Sequence, residues 1–422
     1  MPKISSGVIP PYSFWQILRH AYLGRGSWGR AWTSAKPKKA YDVVIIGGGG
    51  HGLATAYYLA RQHGLKNVAV IEKGWLGGGN SGRNTQAVRS NYFHPESARF
   101  FERSLRLYEG LGLELNFNIM LSQRGVLTLA HSDHELESMR RWCNAIQLHG
   151  IDSELVLPDQ IRALEPHLNL AGRYPIKGGF LQKRGGIVRH DAVVWGYARA
   201  ASQLGVDIIE RCTVEAIEVL NGRVTGIRTN RVRISTPQVA IAAAGQTNSL
   251  LEPLGIQLPI VCSTLQAMVT EPVKPLLRML TNSPTVHVYL SQSDHGEVVI
   301  GGGTDGYDSY VQRGSLPTLQ ANAAAATELF PVLKQLKILR TWAGVVDITP
   351  DTTPIMGRLP VDGITVSAGW GTGGFKAIPA GGEALAATIA LGCEPQIIEP
   401  FRLDRFATGR LIDEAAAAGV AH

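Results

Sequence analysis

Cysteine is scarce in this 422-residue chain, and the four present, Cys143, Cys212, Cys262 and Cys393, lie far apart with no CxxC pair. That spacing supports neither a zinc site nor a disulfide framework, so no metal is expected, and the thiols should be buried and reduced as in a cytoplasmic protein. No apolar run approaches the roughly 18 residues of a transmembrane helix, so no stable membrane anchor is expected. Acidic residues are absent before Asp42, where Lys3, Arg19, Arg25, Arg30, Lys36, Lys38 and Lys39 stand instead. Taking those seven from the 41 basic residues leaves as many as the 34 acidic ones. The formal charge of +7 therefore belongs to an arm over residues 1–39, and the neutral body gives no reason to expect a nucleic-acid partner.

The arm also holds Trp15, Trp28 and Trp32, with Tyr12, Phe14, Ile17, Leu18 and Tyr22 beside them. A secretory signal needs a continuous apolar stretch of about 7–15 residues, and Gln16, Arg19, His20 and repeated glycines interrupt it here. Residues Ser13 to Tyr22 carry apolar side chains at helical spacing, which suits a short membrane-surface helix. Aromatic and arginine residues are also enriched at interface hot spots, so docking on another subunit fits better. Packing on the protein's own body is the remaining alternative.

Against this background, Tyr41-Asp42-Val43-Val44-Ile45-Ile46-Gly47-Gly48-Gly49-Gly50-His51-Gly52 breaks a β-branched run with glycines at GxGxxG spacing. Gly47 suits a tight turn, Gly49 a close backbone approach to pyrophosphate, and Gly52 the packing of the following helix, Leu53 to Gln62. A helix N-terminus there offers unpaired N–H groups to phosphate. A second buried strand, Val68 to Glu72, ends in a carboxylate placed to accept from ribose. Strand, glycines, helix, strand and acid in that order mark a dinucleotide-binding βαβ unit.

The chain is too long for one simple core and implies two domains or one inserted through another. After the polar glycine-rich loop 74–85, helices are expected over Glu96 to Leu111 and Ser132 to Leu148, with a strand Gly125 to Leu129 between them. Residues 178–189 end in a loop before a helix Asp191 to Leu204. Strands follow at Val206 to Ile209, Val214 to Val219, Val224 to Thr229 and Val239 to Gly245. Residues 256–340 read as antiparallel strands, clearest at Val286 to Leu290 and Val298 to Gly302. A strand Ile364 to Ala368, the glycine loop 369–376 and a helix Gly381 to Leu391 close the pattern. Glycine turns near both ends imply that both return to one ligand.

The nucleotide motif, the loop Gly77 to Thr85 with Arg89 and Ser90 after it, Ala243-Ala244-Gly245, and Gly371-Thr372-Gly373-Gly374-Phe375-Lys376 together resemble FAD-dependent amine oxidases of the D-amino-acid oxidase and sarcosine oxidase type. Gly49 to Leu59, Gly82 to Thr85 with Arg89 to Tyr92, Gly185 to Asp191 and the basic arm are similar to beta subunits of heterotetrameric sarcosine oxidases. The resemblance implies an α/β, Rossmann-like FAD-binding domain (40–95, 180–255 and 340–400). An interleaved α+β substrate domain on an antiparallel sheet would occupy 96–179 and 256–339, and a C-terminal tail 401–422.

It further implies a cytoplasmic enzyme that oxidises sarcosine (N-methylglycine) on noncovalent FAD. Electrons would pass to a covalent FMN and then to oxygen, giving hydrogen peroxide. The products would be glycine and formaldehyde, or 5,10-methylenetetrahydrofolate when folate is present. Alpha, gamma and delta subunits would complete the complex, alpha carrying NAD and the folate site. Arg89 and Lys376 match the pair that clamps the substrate carboxylate. FAD contacts are implied at Gly47, Gly49, Gly50, His51, Gly52, Glu72, Asn80, Thr85, Arg89, Val214, Gly374 and Lys376. His190 matches the covalent FMN position, and Arg189, His287 and Arg340 match residues facing that FMN.

Two departures separate the chain from monomeric sarcosine oxidases. No cysteine for FAD attachment lies near Arg340 to Ala343, and no oxygen-activating lysine lies between Val298 and Tyr310. Both suit a protein that sends its electrons onward. The alternatives are a single-flavin D-amino-acid or amine dehydrogenase serving a membrane acceptor, and a noncatalytic assembly subunit that binds FAD for structure alone.

Overall fold

In the computed structural model, which describes residues 13–23 and 31–412, two large sheets divide the body, with a three-stranded sheet (Val214–Leu220, Arg223–Thr229, Arg233–Ser235) and a two-stranded one (Ala87–Val88, Gly186–Ile187) beside them. The first has six strands in the order Ile355–Arg358, Ile364–Ala368, Val239–Ile241, Val43–Ile46, Val68–Ile71 and Asp207–Ile209. All neighbours pair in parallel except the edge strand Ile355–Arg358. The continuous β-branched run at 43–46 is what a strand covered on both faces requires, and every residue in it is buried. The α/β Rossmann-like expectation is borne out.

Helix Gly50–Gln62 crosses this sheet beneath helices His190–Gln203 and Ile378–Leu391. The crossing is close because small residues meet: a Cβ on Gly382 would stand 2.3 Å from that of Ala54. Leu53, Tyr57, Tyr58, Tyr197, Ile378 and Leu385 fill the layer between. Helix Gly50–Gln62 starts three residues earlier than its apolar periodicity suggests, because its first turn is made of the glycine motif itself.

The second sheet has eight strands in the order Ile338–Ile348, Val261–Pro272, Glu297–Asp308, Val288–Gln292, Leu280–Ser283, Val126–Ala130, Gly178–Gln182 and Glu154–Val156. It is antiparallel apart from the parallel pair Leu280–Ser283 with Val126–Ala130. Three sequence expectations fail here. Residues 256–340 are not all strand, since the alanine-rich run after Ser315 forms helix Leu316–Leu329, as alanine's helix propensity favours. The strand expected from Val286 begins at Val288, because His287 turns the backbone at φ +50°. The boundary expected at 340 falls inside strand Ile338–Ile348, which pairs in the large sheet along its length.

Both ends of the chain also differ from expectation. A helix forms at Phe14–Leu23, one residue later at each end than the Ser13 to Tyr22 segment with helical spacing, with Phe14, Trp15, Ile17, Leu18 and Tyr22 exposed. The rest of the arm from Thr33 onward is stitched to the body: Ser34 bridges Ile208, Ala40 bridges Ser235, and Lys38 Nζ lies 2.7 Å from Asp207. Trp32 packs on the main core and donates to Glu210 at 3.2 Å. Tyr12, Trp28, Lys3, Arg25 and Arg30 lie outside the described residues. The supposed tail is body as far as Ile412: Arg405 is buried and makes a two-pronged ion pair with buried Asp351, at 2.8 and 3.0 Å. That pairing outweighs the cost of burial and holds the Asp351 carboxyl below its usual range.

Among the described residues no helix is long and apolar enough to cross a membrane. Cys143, Cys212 and Cys262 are buried free thiols, but Cys393 is exposed, because it follows the Gly392 turn that ends helix Ile378–Leu391.

Candidate active site

Strand Val43–Ile46 is flanked on one side by Val68–Ile71 and on the other by Val239–Ile241, so the order of crossovers reverses at its C-terminal end. A crevice opens at such a point, and here a cavity of about 870 Å³ runs from it to the large sheet. Gly47, Gly49, Gly50, His51, Glu72, Asn80, Thr85, Arg89, Val214, Gly374 and Lys376 all line it. Gly52 sits one turn behind.

The three motif glycines have different jobs. A Cβ on Gly47, at φ +113°, would stand 2.4 Å from the Ala242 carbonyl, and one on Gly52 would stand 2.0 Å from the Gly47 carbonyl. Both are demanded by the fold. At Gly49 the nearest atom to a Cβ would be Ser81 Oγ at 3.1 Å, so that side faces the cavity. Gly49 is also the N-cap of helix Gly50–Gln62 and supplies no side-chain cap; Ser81 Oγ accepts from the Gly50 N–H at 2.9 Å, and the positive end of the helix still faces the cavity, where it suits an anion. Glu72 accepts from the Gly48 N–H at 2.8 Å and the Gly74 N–H at 2.7 Å. It therefore fixes the loop as well as offering free lone pairs to a ribose. These features fit the pyrophosphate and ribose of a dinucleotide.

At the other end, Arg89 donates to Asn91 Oδ1 at 2.8 Å and lies over the Tyr92 ring, 4.5 Å from its centroid. Tyr92 in turn stacks on Phe101. Lys376 Nζ donates to the Thr372 carbonyl at 2.8 Å. Burial, reinforced by repulsion from Arg89, pushes the Lys376 ammonium down to about 7. Two cations from opposite ends of the chain thus meet at one wall of the cavity, an arrangement that suits a small anion.

His51 stacks on Trp370 at 4.5 Å and its Nε2 bonds the Gly374 carbonyl at 2.8 Å. Burial pushes its pKa down to about 4, so the ring is neutral at physiological pH. Tyr289 and Asp347 line the same cavity and were missed from sequence. Asp347 had a signal, being an acid at the end of the apolar run Gly344-Val345-Val346.

His190, Arg189, His287 and Arg340 lie outside this cavity. His190 is the first residue of helix His190–Gln203, and its Nδ1 is buried with no hydrogen-bond partner among the described residues. Burial lowers its pKa, which keeps the imidazole neutral. Arg189 is engaged by the Asp191 carboxylate at 2.8 and 3.1 Å. Arg340 stands in strand Ile338–Ile348 opposite Val269. His287 is exposed beside Gly302 at the start of the hairpin that turns at Ser293–Gly296. Among the described residues no hydrogen bond or ion pair joins His190 to His287 or Arg340.

The architecture and this cavity define a flavin-dependent redox protein, and comparison with known proteins agrees. The sequence profile of the FAD dependent oxidoreductase family matches residues 42–388, and the chain belongs to that family. It is 50% identical over 412 residues to the sarcosine oxidase subunit beta of Rhodobacter capsulatus, covering 97% of this chain and 99% of that protein. The subunit beta of an Arthrobacter species is 47% identical over 393 residues, 93% of this chain and 97% of that one. In fold, the chain is similar to L-proline dehydrogenase from P. horikoshii, with TM-score 0.84 at 28% identity over 89% of this chain and 100% of that one. The resemblance read from the motifs is borne out.

Proposed function

We propose that this chain is the catalytic beta-type subunit of a cytoplasmic, multi-subunit sarcosine oxidase. The observation that carries the reading is the convergence of Arg89 and Lys376 on one wall of the cavity that begins at Gly49. Bound noncovalently there, FAD would supply the hydride acceptor for the substrate's methyl carbon. Gly49, the N-terminus of helix Gly50–Gln62 and Glu72 would hold its pyrophosphate and ribose, with Asn80, Thr85, Val214 and Gly374 along its length.

The chain's own contribution to the chemistry is placement. Sarcosine is a zwitterion; its carboxylate would bridge the Arg89 guanidinium, which can bind two oxygens, and the Lys376 ammonium, a point charge. Holding the carboxylate fixes where the methyl group stands, and orientation of this kind governs much of a barrier. Tyr92 and Phe101 keep the guanidinium aimed by stacking from behind.

The finer reading adds FMN bound covalently at His190, with Arg189, His287 and Arg340 near it, and oxygen reduced to hydrogen peroxide there. A neutral imidazole at His190 whose Nδ1 has no hydrogen-bond partner among the described residues supports this assignment, since only an unprotonated imidazole nitrogen is a nucleophile. Alpha, gamma and delta subunits would complete the complex, with NAD and folate on alpha; the names of the subunit beta relatives support an assembly. The single-flavin dehydrogenase serving a membrane acceptor is favoured by one observation, the exposed apolar side chains of the basic helix Phe14–Leu23.

The test is anaerobic mixing with sarcosine. The FAD-loaded protein should bleach, and Lys376→Met should slow bleaching at least a hundredfold while leaving the bound flavin spectrum in place. An unchanged rate in that variant sinks the clamp, and no bleaching by any amine sinks the enzyme reading.

A further inference from the structure

Lys376 follows a loop whose shape is set by a carboxylate from the other sheet. Asp347 stands near the end of strand Ile338–Ile348 and is 1% exposed. Its Oδ2 accepts from the Gly369 N–H at 2.6 Å, with the Trp370 N–H a further donor to the carboxyl, and its main-chain carbonyl accepts from the Gly371 N–H at 2.8 Å. One residue therefore gathers three consecutive N–H groups. The loop can present them because Gly369 and Gly371 take φ +72° and +49°, a left-handed backbone natural to glycine.

No cation pairs with Asp347 among the described residues, so its retention in a buried position is not explained by a salt bridge. Burial without a counter-charge pushes the carboxyl up to about 6. The opposite side of the loop is held by His51, through the Gly374 carbonyl and the Trp370 ring. Between these two anchors the loop carbonyl of Thr372 receives the Lys376 ammonium.

We propose that Asp347 is the positioning residue for the carboxylate clamp: it fixes the Gly369–Gly374 loop against the large sheet and thereby sets where Lys376 presents its charge. The inference rests on the clamp reading above. It assigns Asp347 no contact with substrate; it acts through Lys376.

A double-mutant cycle separates this role from general structural support. The probe is methoxyacetate, which keeps the shape and carboxylate of sarcosine but has no oxidisable amine, titrated into the FAD-loaded protein by its effect on the flavin spectrum. Asp347→Asn puts an amide N–H where the loop already presents donors. It should weaken methoxyacetate about tenfold with Lys376 present, and less than twofold in a Lys376→Met background. Asp347→Ser, neutral and smaller, should show the same dependence on Lys376 if the asparagine variant fails to hold FAD. Equal losses in both backgrounds, or no loss in either, would overturn the proposal. If Lys376→Met alone leaves the affinity unchanged, the clamp reading falls and the Asp347 proposal falls with it.

Discussion

Lys376 and Arg89 sit close enough that the arginine's charge helps burial depress the lysine, although about two thirds of the chain separates them in sequence. Their mutual repulsion is unfavourable, and a bound carboxylate would relieve it. With the ammonium titrating near 7, affinity for methoxyacetate should fall as pH rises through 7, by up to about tenfold per unit. Lys376→Met should flatten that profile. The sign for stability is opposite: the unfolded lysine holds its proton to higher pH, so this site's contribution to stability should rise between about pH 7 and 10.5.

Gly49 and Gly52 should fail differently. Gly52→Ala drives a methyl into the Gly47 carbonyl and should destabilise the apoprotein. Gly49→Ala meets nothing closer than Ser81 Oγ and should leave the apoprotein's melting temperature nearly unchanged while abolishing FAD retention. Stoichiometric FAD in purified Gly49→Ala would remove the pyrophosphate from this loop.

Glu72→Ala should cost more than a ribose contact. Sequence alone suggested only that contact, but the carboxylate also caps the Gly48 and Gly74 N–H groups. Hydrogen bonds to a charged group are worth about 1.5–3 kcal/mol each. Both the FAD dissociation constant and the apoprotein melting temperature should therefore change; a shift in FAD affinity alone would mean the loop holds itself.

Truncation should expose two functions in the arm. Removing residues 1–30 spares Trp32, the Ser34 bridge and the Lys38–Asp207 pair, so the body should stay folded while copurification with partner subunits is lost. Removing residues 1–39 takes those contacts too and should lower the melting temperature by several degrees. Normal assembly of the shorter deletion would redirect attention to membrane association, measured by vesicle flotation.

If FMN is attached at His190, the denatured chain from the assembled complex should exceed its sequence mass by one FMN, and a digest should yield one flavin peptide containing His190. His190→Asn should lose the adduct and most peroxide formation yet keep FAD and its reduction by sarcosine, because the Gly49 cavity does not include His190. An unmodified wild-type mass would favour the single-flavin dehydrogenase.

The nucleotide half of the site is legible in the sequence. Val43 to Gly52 and Glu72 are contiguous or nearly so, and their spacing is dictated by local physics: a buried strand, a turn only glycine can make, a helix end and an acid one strand later. Short-range rules also placed the helix Phe14–Leu23 and most strands. They failed where non-local packing or a single turn outweighed pattern, as at His287 and in the helix Leu316–Leu329. That residues 31–39 and 401–412 belong to the body follows from the three-dimensional packing, since edge bridges and the buried Asp351–Arg405 pair join residues remote in sequence. The family resemblance had already paired Arg89 with Lys376, but only the structure brought Asp347 to their cavity. Charge proximity and desolvation depend on distance in space, and no periodicity along the chain encodes them.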